Sequence, residues 1–483
     1  MKKTFIILIL GALSFSASAQ NRKEFENDFK RRMAEYSDTR RQDFQSYCDS
    51  LNMEFAEFMR ERWERHDTKP PIPVPQDEPV PDTIPAGKTS GIQSEGTELG
   101  VSSCQSVPDI SGRPQPIADI PEIKTSESPW PDLCFTFYGT DCAIPVNEAL
   151  HFTLQNTDEN SVADAWVHLT ENECAQLVPE CLSFWELRNL CDWGYIRFVE
   201  EMAKAFFGAN RLNEARLMQM YILAQSGYKV RMARSGDRIV LLLPSREKIY
   251  QYSYLEIDGE KYYVLDRECG NSPLYLFDKG LAGEQEFSLM MDGQPDLSSS
   301  ADNYAGLQVY SVNKNLIDFY NDYPHSADWR IYVQASINDC IKHGIYRMME
   351  EETEGEGIAH KVGFLLDFVQ NTFEYQTDDE QFGYERPLFC DETFYYPYSD
   401  CEDRAILFAT LVRELLGLEV ALVDYPGHVA AAVRLDDESY GDYFLLDGVR
   451  FTVCDPTYIG AGIGVSMPRY REQKATIVRI KPN

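Results

Sequence analysis

Residues 393–460 constrain the fold more tightly than any other part of this 483-residue chain. Thr393 to Ser399 is aromatic and contains a proline, and Asp400-Cys401-Glu402-Asp403 follows. From Arg404 to Leu416 the apolar residues Ile406, Leu407, Leu411, Val412, Leu415 and Leu416 recur at helical spacing, and Gly417 supplies a stop. Val420–Asp424, His428–Val433, Tyr443–Leu446 and Arg450–Cys454 read as strands. Pro426-Gly427 is a turn, and Asp455-Pro456 ends the last run. One helix followed by closely spaced strands predicts an antiparallel sheet packed on that helix, an α+β arrangement.

The same segment orders three chemically complementary side chains. Cys401 opens a helix, where the macrodipole and free N–H groups favour a thiolate. His428 opens a strand and Asp455 closes a later one. A thiolate nucleophile needs an imidazole to move its proton, and the imidazole needs a carboxylate to fix its tautomer and orientation. Neighbouring antiparallel strands would set His428 beside Asp455, facing the helix tip.

In this order and spacing the segment resembles the transglutaminase-like superfamily, rearranged relatives of papain. The resemblance covers about residues 312–465. It is carried by Asp400-Cys401-Glu402-Asp403-Arg404, Gly427-His428-Val429 and Cys454-Asp455-Pro456-Thr457, with the helix Phe364–Tyr375 upstream. It implies Cys401 as nucleophile, His428 as general base and acid, and Asp455 as the orienting carboxylate. An acyl intermediate also needs an oxyanion hole. The Cys401 backbone N–H is one donor, and Gln381, with Tyr396 behind it, is the candidate for the second.

This chemistry requires no cofactor. The Asp-Cys-Glu-Asp string is, however, similar to that of calcium-dependent periplasmic transglutaminase-like proteinases. That likeness makes Asp400 and Glu402 candidate calcium ligands, of a type suited to the ion. Without an ion, acids still suit a helix N-terminus, and Asp403 could pair with Arg404 or Arg434.

A weaker echo of this pattern lies upstream. Asn213-Glu214-Ala215-Arg216 aligns with Cys401-Glu402-Asp403-Arg404, Arg238 with His428, and Asp266 with Asp455, at offsets of 188, 190 and 189 residues. Phe137-Tyr138-Gly139-Thr140 aligns loosely with Phe319-Tyr320-Asn321-Asp322. The expectation is a tandem pair of transglutaminase-like (papain-type) domains, the first degenerate because Asn213 and Arg238 can perform neither catalytic role.

At the other end, Lys2 and Lys3, an apolar run from Phe5 to Leu13 and the small residues Ala17-Ser18-Ala19 form a signal-peptide pattern. It implies export to the periplasm or beyond, with no lipid-anchor cysteine after the run. The run is too short to span a membrane. Residues 22–67 lack Gly and Pro. Phe25, Tyr36, Tyr47 and Phe58 recur every 11 residues, predicting a long helix with one nearly straight stripe. Such a stripe must pair with another copy, a partner or the body of the protein, so self-association through this helix is an expectation. Pro70, Pro71, Pro73, Pro75, Pro79, Pro81 and Pro85 then mark a stiff linker. The resulting division is 1–19 signal peptide, 20–69 helix, 70–128 spacer, 129–300 degenerate domain and 301–483 catalytic domain.

Charge narrows the partners. With 45 basic and 78 acidic side chains, the net charge of −33 argues against a nucleic-acid backbone and against an anionic membrane surface. Twelve cysteines are too few for a disulfide scaffold, although Cys134 with Cys142, and Cys174 with Cys181 or Cys191, could pair in an oxidising compartment. The expected activity is hydrolysis of a peptide or protein amide through a thioester. The alternatives are protein-glutamine acyl transfer on the same triad, and a non-enzymatic binding or scaffold protein on the same fold.

Overall fold

A computed structural model describes residues 46–74, 96–106, 128–270, 272–277, 279–280, 283–297, 304–305, 312–435 and 441–481. The signal peptide and residues 20–45 of the expected helix lie outside them. Among the described residues no helix is long and apolar enough to cross a membrane.

The architecture is mixed α+β, with two six-stranded sheets. In the first sheet the order is Glu64–His66, Leu274–Leu276, Arg231–Ser235, Arg238–Pro244, Glu260–Val264, Tyr254–Ile257. In the second, read from the corresponding edge, it is Val101–Ser106, Ala475–Ile480, Val420–Tyr425, His428–Val433, Val449–Cys454, Tyr443–Leu446. The last five strands of each order follow the same path in both sheets, and all their pairings are antiparallel. Only the outermost addition differs: Glu64–His66 joins antiparallel and Val101–Ser106 parallel.

Each sheet is preceded by a helix buried on nearly every side, Leu212–Gln225 in the first half and Cys401–Leu416 in the second. A helix that is buried all round belongs to a core. Strand alternation explains how the sheets join it. Ile239, Leu241 and Leu243 point into the same continuous core as Val429, Ala431 and Val433. Val240 and Leu242 point into a satellite cluster on the outer face of the first sheet, and Ala430 and Ala432 into one on the outer face of the second. This is the period of two expected of strands covered on both faces. The two halves therefore share one central core.

The second half follows the sequence reading closely: its helix spans Cys401–Leu416, and its strands fall within one residue of the expected limits. Gly417 ends the helix in the left-handed conformation at φ 64°. At the hairpin before His428, Gly427 has φ 75° behind Pro426. Proline then glycine at the two central positions is the residue choice of a tight turn that needs positive φ at its second place. That turn sets Tyr425 directly opposite His428.

Four expectations are corrected. The N-terminal helix does not run to residue 69: it ends at residue 59, and Glu64–His66 is a strand. Within residues 46–59 the face packed on the body is not that stripe but the one carrying Phe55, Ala56 and Met59. Phe55 packs edge-on against Phe277 and close to Trp166, Ala56 and Met59 are fully buried, and Phe58 of the stripe is only half-buried. This stretch therefore leaves little apolar surface for a second copy, although Tyr47 remains exposed. Nor is 70–128 simply a spacer. Gln251 N–H donates to Ile72 O at 2.9 Å, and Val101–Ser106 becomes the edge strand of the second sheet. Phe137–Thr140 forms a hairpin turn whereas Phe319–Asp322 ends a helix, so that part of the internal match is not structural. Finally, none of the twelve cysteines forms a disulfide. Cys134 lies opposite Ala143 and Cys142 opposite Phe135, which points the two thiols to opposite faces of their hairpin.

Candidate active site

The His428–Asp455 contact follows from strand register. Ala431 pairs with Cys454, which sets Asp455 beside Ala430 and leaves His428 as its diagonal neighbour on the same face. His428 Nε2 and Asp455 Oδ2 are 2.9 Å apart, both side chains nearly fully buried. Asp455 is itself held: its Oδ1 accepts the backbone N–H groups of Thr457 at 3.0 Å and Tyr458 at 3.2 Å. With Nε2 committed to the carboxylate, Nδ1 is the imidazole nitrogen available for proton transfer.

Aromatic rings fix the imidazole plane. Tyr470 stacks on His428 at 4.8 Å and 16°, and Tyr425 lies nearly parallel at 6.3 Å. Gln370, from the helix Ile358–Thr372, anchors the turn after Asp455. Its amide nitrogen lies 3.0 Å from the carbonyls of Asp455, Tyr458 and Ala461, and its oxygen accepts from Gly460 N–H at 3.1 Å. The sequence places this helix at Phe364–Tyr375; it instead starts at Ile358 and ends at Thr372, with Glu374–Tyr375 a strand. Gln370 is missed in the sequence because a lone glutamine in an amphipathic run carries no signal.

Cys401 is the first residue of the Cys401–Leu416 helix, which packs against the strand that His428 opens. Its side chain is fully buried, and its Sγ donates to Glu402 Oε2 at 3.1 Å. Asp403 completes the cap, accepting the Asp400 N–H at 3.3 Å and the Leu388 N–H at 2.8 Å. The expected pairings of Asp403 are therefore corrected. Arg434 instead pairs with Glu419 at 2.9 Å, and Arg404 donates to Phe373 O at 2.7 Å and Ser399 Oγ at 3.2 Å. The backbone N–H groups of Asp400 and Leu388 satisfy the Asp403 side chain without a cation.

No protein-family model, curated protein or solved structure matches this chain. The geometry alone therefore carries the reading of the site.

The acids beside Cys401 have company that the sequence did not reveal. Asp378 and Glu385 converge on Asp400 and Glu402, with one oxygen from each within 4.8 Å of the others. Burial, and then the charges of Asp400 and Asp403, push the Asp378 carboxyl up to about 11. Burial and the neighbouring acids also raise Glu402 and Asp403 well above the carboxylate range. Glu402 Oε1 is buried without a hydrogen-bond partner. Such a cluster is costly as free anions, so it holds protons or a cation. Four convergent carboxylates are an oxygen donor set suited to calcium.

Gln381 closes the short helix Asp378–Gln381 and directs its amide nitrogen at Tyr398 O, 3.4 Å away, in the segment leading into Cys401. Tyr396 stands apart from that contact, donating its hydroxyl to Asn321 Oδ1 at 2.8 Å.

Proposed function

We propose that this protein is an exported cysteine amide hydrolase, built on a transglutaminase-like domain in tandem with a degenerate copy. The observation that carries the reading is the buried His428–Asp455 hydrogen bond of 2.9 Å, on the sheet that packs against the helix beginning at Cys401. The duplicate rests on the shared path of five strands in the two sheets and on the matching helix before each.

In this reading His428 Nδ1 accepts the Cys401 proton, and the thiolate attacks an amide carbonyl to form a C–S bond. Imidazolium, stabilised by Asp455, returns the proton to the nitrogen as the C–N bond breaks. Water, deprotonated by His428, then cleaves the thioester to give a carboxylic acid and the free thiol. The Cys401 N–H at the helix start is one oxyanion donor; the present direction of Gln381 gives it at most a supporting part.

The acid cluster supplies a condition on this chemistry. Negative charge beside a sulfur opposes its ionisation. A calcium ion held by Asp378, Glu385, Asp400 and Glu402 would offset that charge and make the thiolate easier to form.

A second reading is favoured by one observation. Cys401 and His428 are both buried, and the thiol hydrogen-bonds to a carboxyl rather than lying open to substrate. A binding or scaffold protein on the same fold would look like this. Alkylation by iodoacetamide at about pH 6, below the usual thiol value of about 8.5, separates the two readings. Fast, selective labelling of Cys401 that disappears in His428→Ala supports the enzyme. Labelling no faster than in the unfolded chain overturns it. A glutamine peptide offered with a labelled amine then distinguishes hydrolysis from acyl transfer.

A further inference from the structure

The first half of the molecule contains a cavity of about 320 Å³ at the start of the Leu212–Gln225 helix. Its position is informative. Asn213 lies in the first turn of that helix, Arg238 opens the second strand and Asp266 follows the inner strand Glu260–Val264. These are the places held in the second half by Cys401, His428 and Asp455, and all three residues line the cavity. They also meet one another. Arg238 lies 3.8 Å from Asp266, and Asn213 bridges to the hairpin through Asp237 O at 2.8 Å and Ile239 N–H at 2.9 Å. The side chains that would perform catalysis are replaced, yet the hollow they border remains.

Its lining is unlike the rest of this acidic chain. Arg197, Lys204, Arg216, Arg238 and Arg267 face it, against Glu200, Asp266 and Asp322. Five cations against three carboxylates leave an excess of two positive charges among the lining residues, one of them, Lys204, also paired at 2.9 Å with Glu201 outside the lining, in a protein whose net charge is −33. Part of the set is rigidly held. Glu200 is ion-paired to Arg197, to Lys204 and to Arg216, and Asp322 lies 2.7 Å from Arg197. Arg267 is fixed by Tyr252, whose hydroxyl accepts from it at 2.8 Å. Trp193 also lines the cavity and is 2% exposed, and its indole N–H has no hydrogen-bond partner. A buried donor left unsatisfied is costly unless something occupies the space beside it. Planar guanidinium groups and aromatic walls suit an oxyanion borne on a small organic body, and the volume is that of a small-ligand site.

We infer that this cavity binds a small ligand carrying a doubly charged oxyanion, as carboxylates or a phosphate, with Arg238 and Arg267 as its principal exposed contacts. The inference does not depend on Cys401 being a nucleophile.

Isothermal titration calorimetry on the full chain tests it, with succinate, inorganic phosphate and neutral succinamide as probes. At least one anion should bind with a sub-millimolar dissociation constant, and succinamide should not. Binding of succinate alone assigns the site to carboxylates, of phosphate alone to phosphates, and of both to either. The Arg238 side chain is 51% exposed, so Arg238→Gln should leave the fold intact, as a thermal melt will show. Arg238→Gln and Arg267→Gln should each weaken binding about tenfold, and Cys401→Ala should leave it unchanged. Absence of heat with both anions, equal binding of succinamide, full binding by the double arginine variant, or loss of binding in Cys401→Ala would each overturn the proposal.

Discussion

Asp455 uses one carboxylate oxygen for His428 and the other for two backbone N–H groups of the turn that follows it. The orientation of the imidazole is thus set by the main chain, through a carboxylate that has no freedom to turn. Asp455→Asn preserves shape but can present an N–H to the ring, which favours the wrong tautomer. In the enzyme reading kcat should fall by about 10²–10⁴ with KM nearly unchanged. An unaltered kcat for the variant would remove Asp455 from the mechanism.

Gln370 links the helix Ile358–Thr372 to the turn that carries this arrangement. Gln370→Leu removes an amide group placed among three carbonyls and the Gly460 N–H in the interior. The expected loss of stability is on the order of 3 kcal/mol, read from urea unfolding. Loss of activity should exceed what the unfolded fraction accounts for, since the turn that holds Asp455 is loosened.

Calcium should raise the melting temperature if the four acids near Cys401 hold it. Asp378→Asn combined with Glu402→Gln should abolish that rise, and should raise the melting temperature of the calcium-free protein by relieving repulsion. An equal calcium response in wild type and double variant would place any bound ion elsewhere.

Asp391 gives a pH dependence of definite sign. Burial pushes its carboxyl up to about 7, although it accepts hydrogen bonds from Gln294 and, at 3.2 Å, from Asn338 N–H. The unfolded value is about 3.9, so the folded state holds the proton more tightly between these limits. This contribution is complete below about pH 4 and declines as pH rises toward 7, by about 1.4 kcal/mol per unit. Asp391→Asn should flatten that slope in unfolding curves taken across the window.

Glu200 contributes with the opposite sign. Although burial alone would raise it, Arg216, Arg197 and Lys204 lower its carboxyl to about 2. Its stabilisation is therefore present above an unfolded value of about 4.3, and is lost as pH falls toward 2. Glu200→Gln should cost about 3 kcal/mol at neutral pH and remove part of the acid sensitivity.

The second half was legible because its signals are local. Gly417, Pro426-Gly427 and Asp455-Pro456 punctuate one helix and four strands, and alternation or helical spacing fills the intervals. The acid cluster was only half legible: Asp400 and Glu402 flank Cys401, but Asp378 opens a one-turn helix and Glu385 lies in the loop after it, neither with a pattern of its own. The N-terminal segment misled for a related reason. Val101–Ser106 is exposed at all but its first residue, so its side chains encode no face. Its place in the sheet is set by main-chain hydrogen bonds to a strand more than 370 residues later, which a side-chain pattern does not report. The first-half cavity was invisible because the residues that line it, among them Arg197, Arg238 and Arg267, are scattered along the chain with no common spacing.

That distant pairing governs the order in which the molecule can be finished. Val101–Ser106 leaves the ribosome early but has no partner until Ala475–Ile480 has been made. The nascent chain must carry an unpaired strand edge through nearly the whole of synthesis, a period in which such edges are prone to stray pairing. Closing the second sheet therefore waits for that late strand, and it ties residues 101–106 to residues 475–480 across the half that contains Cys401.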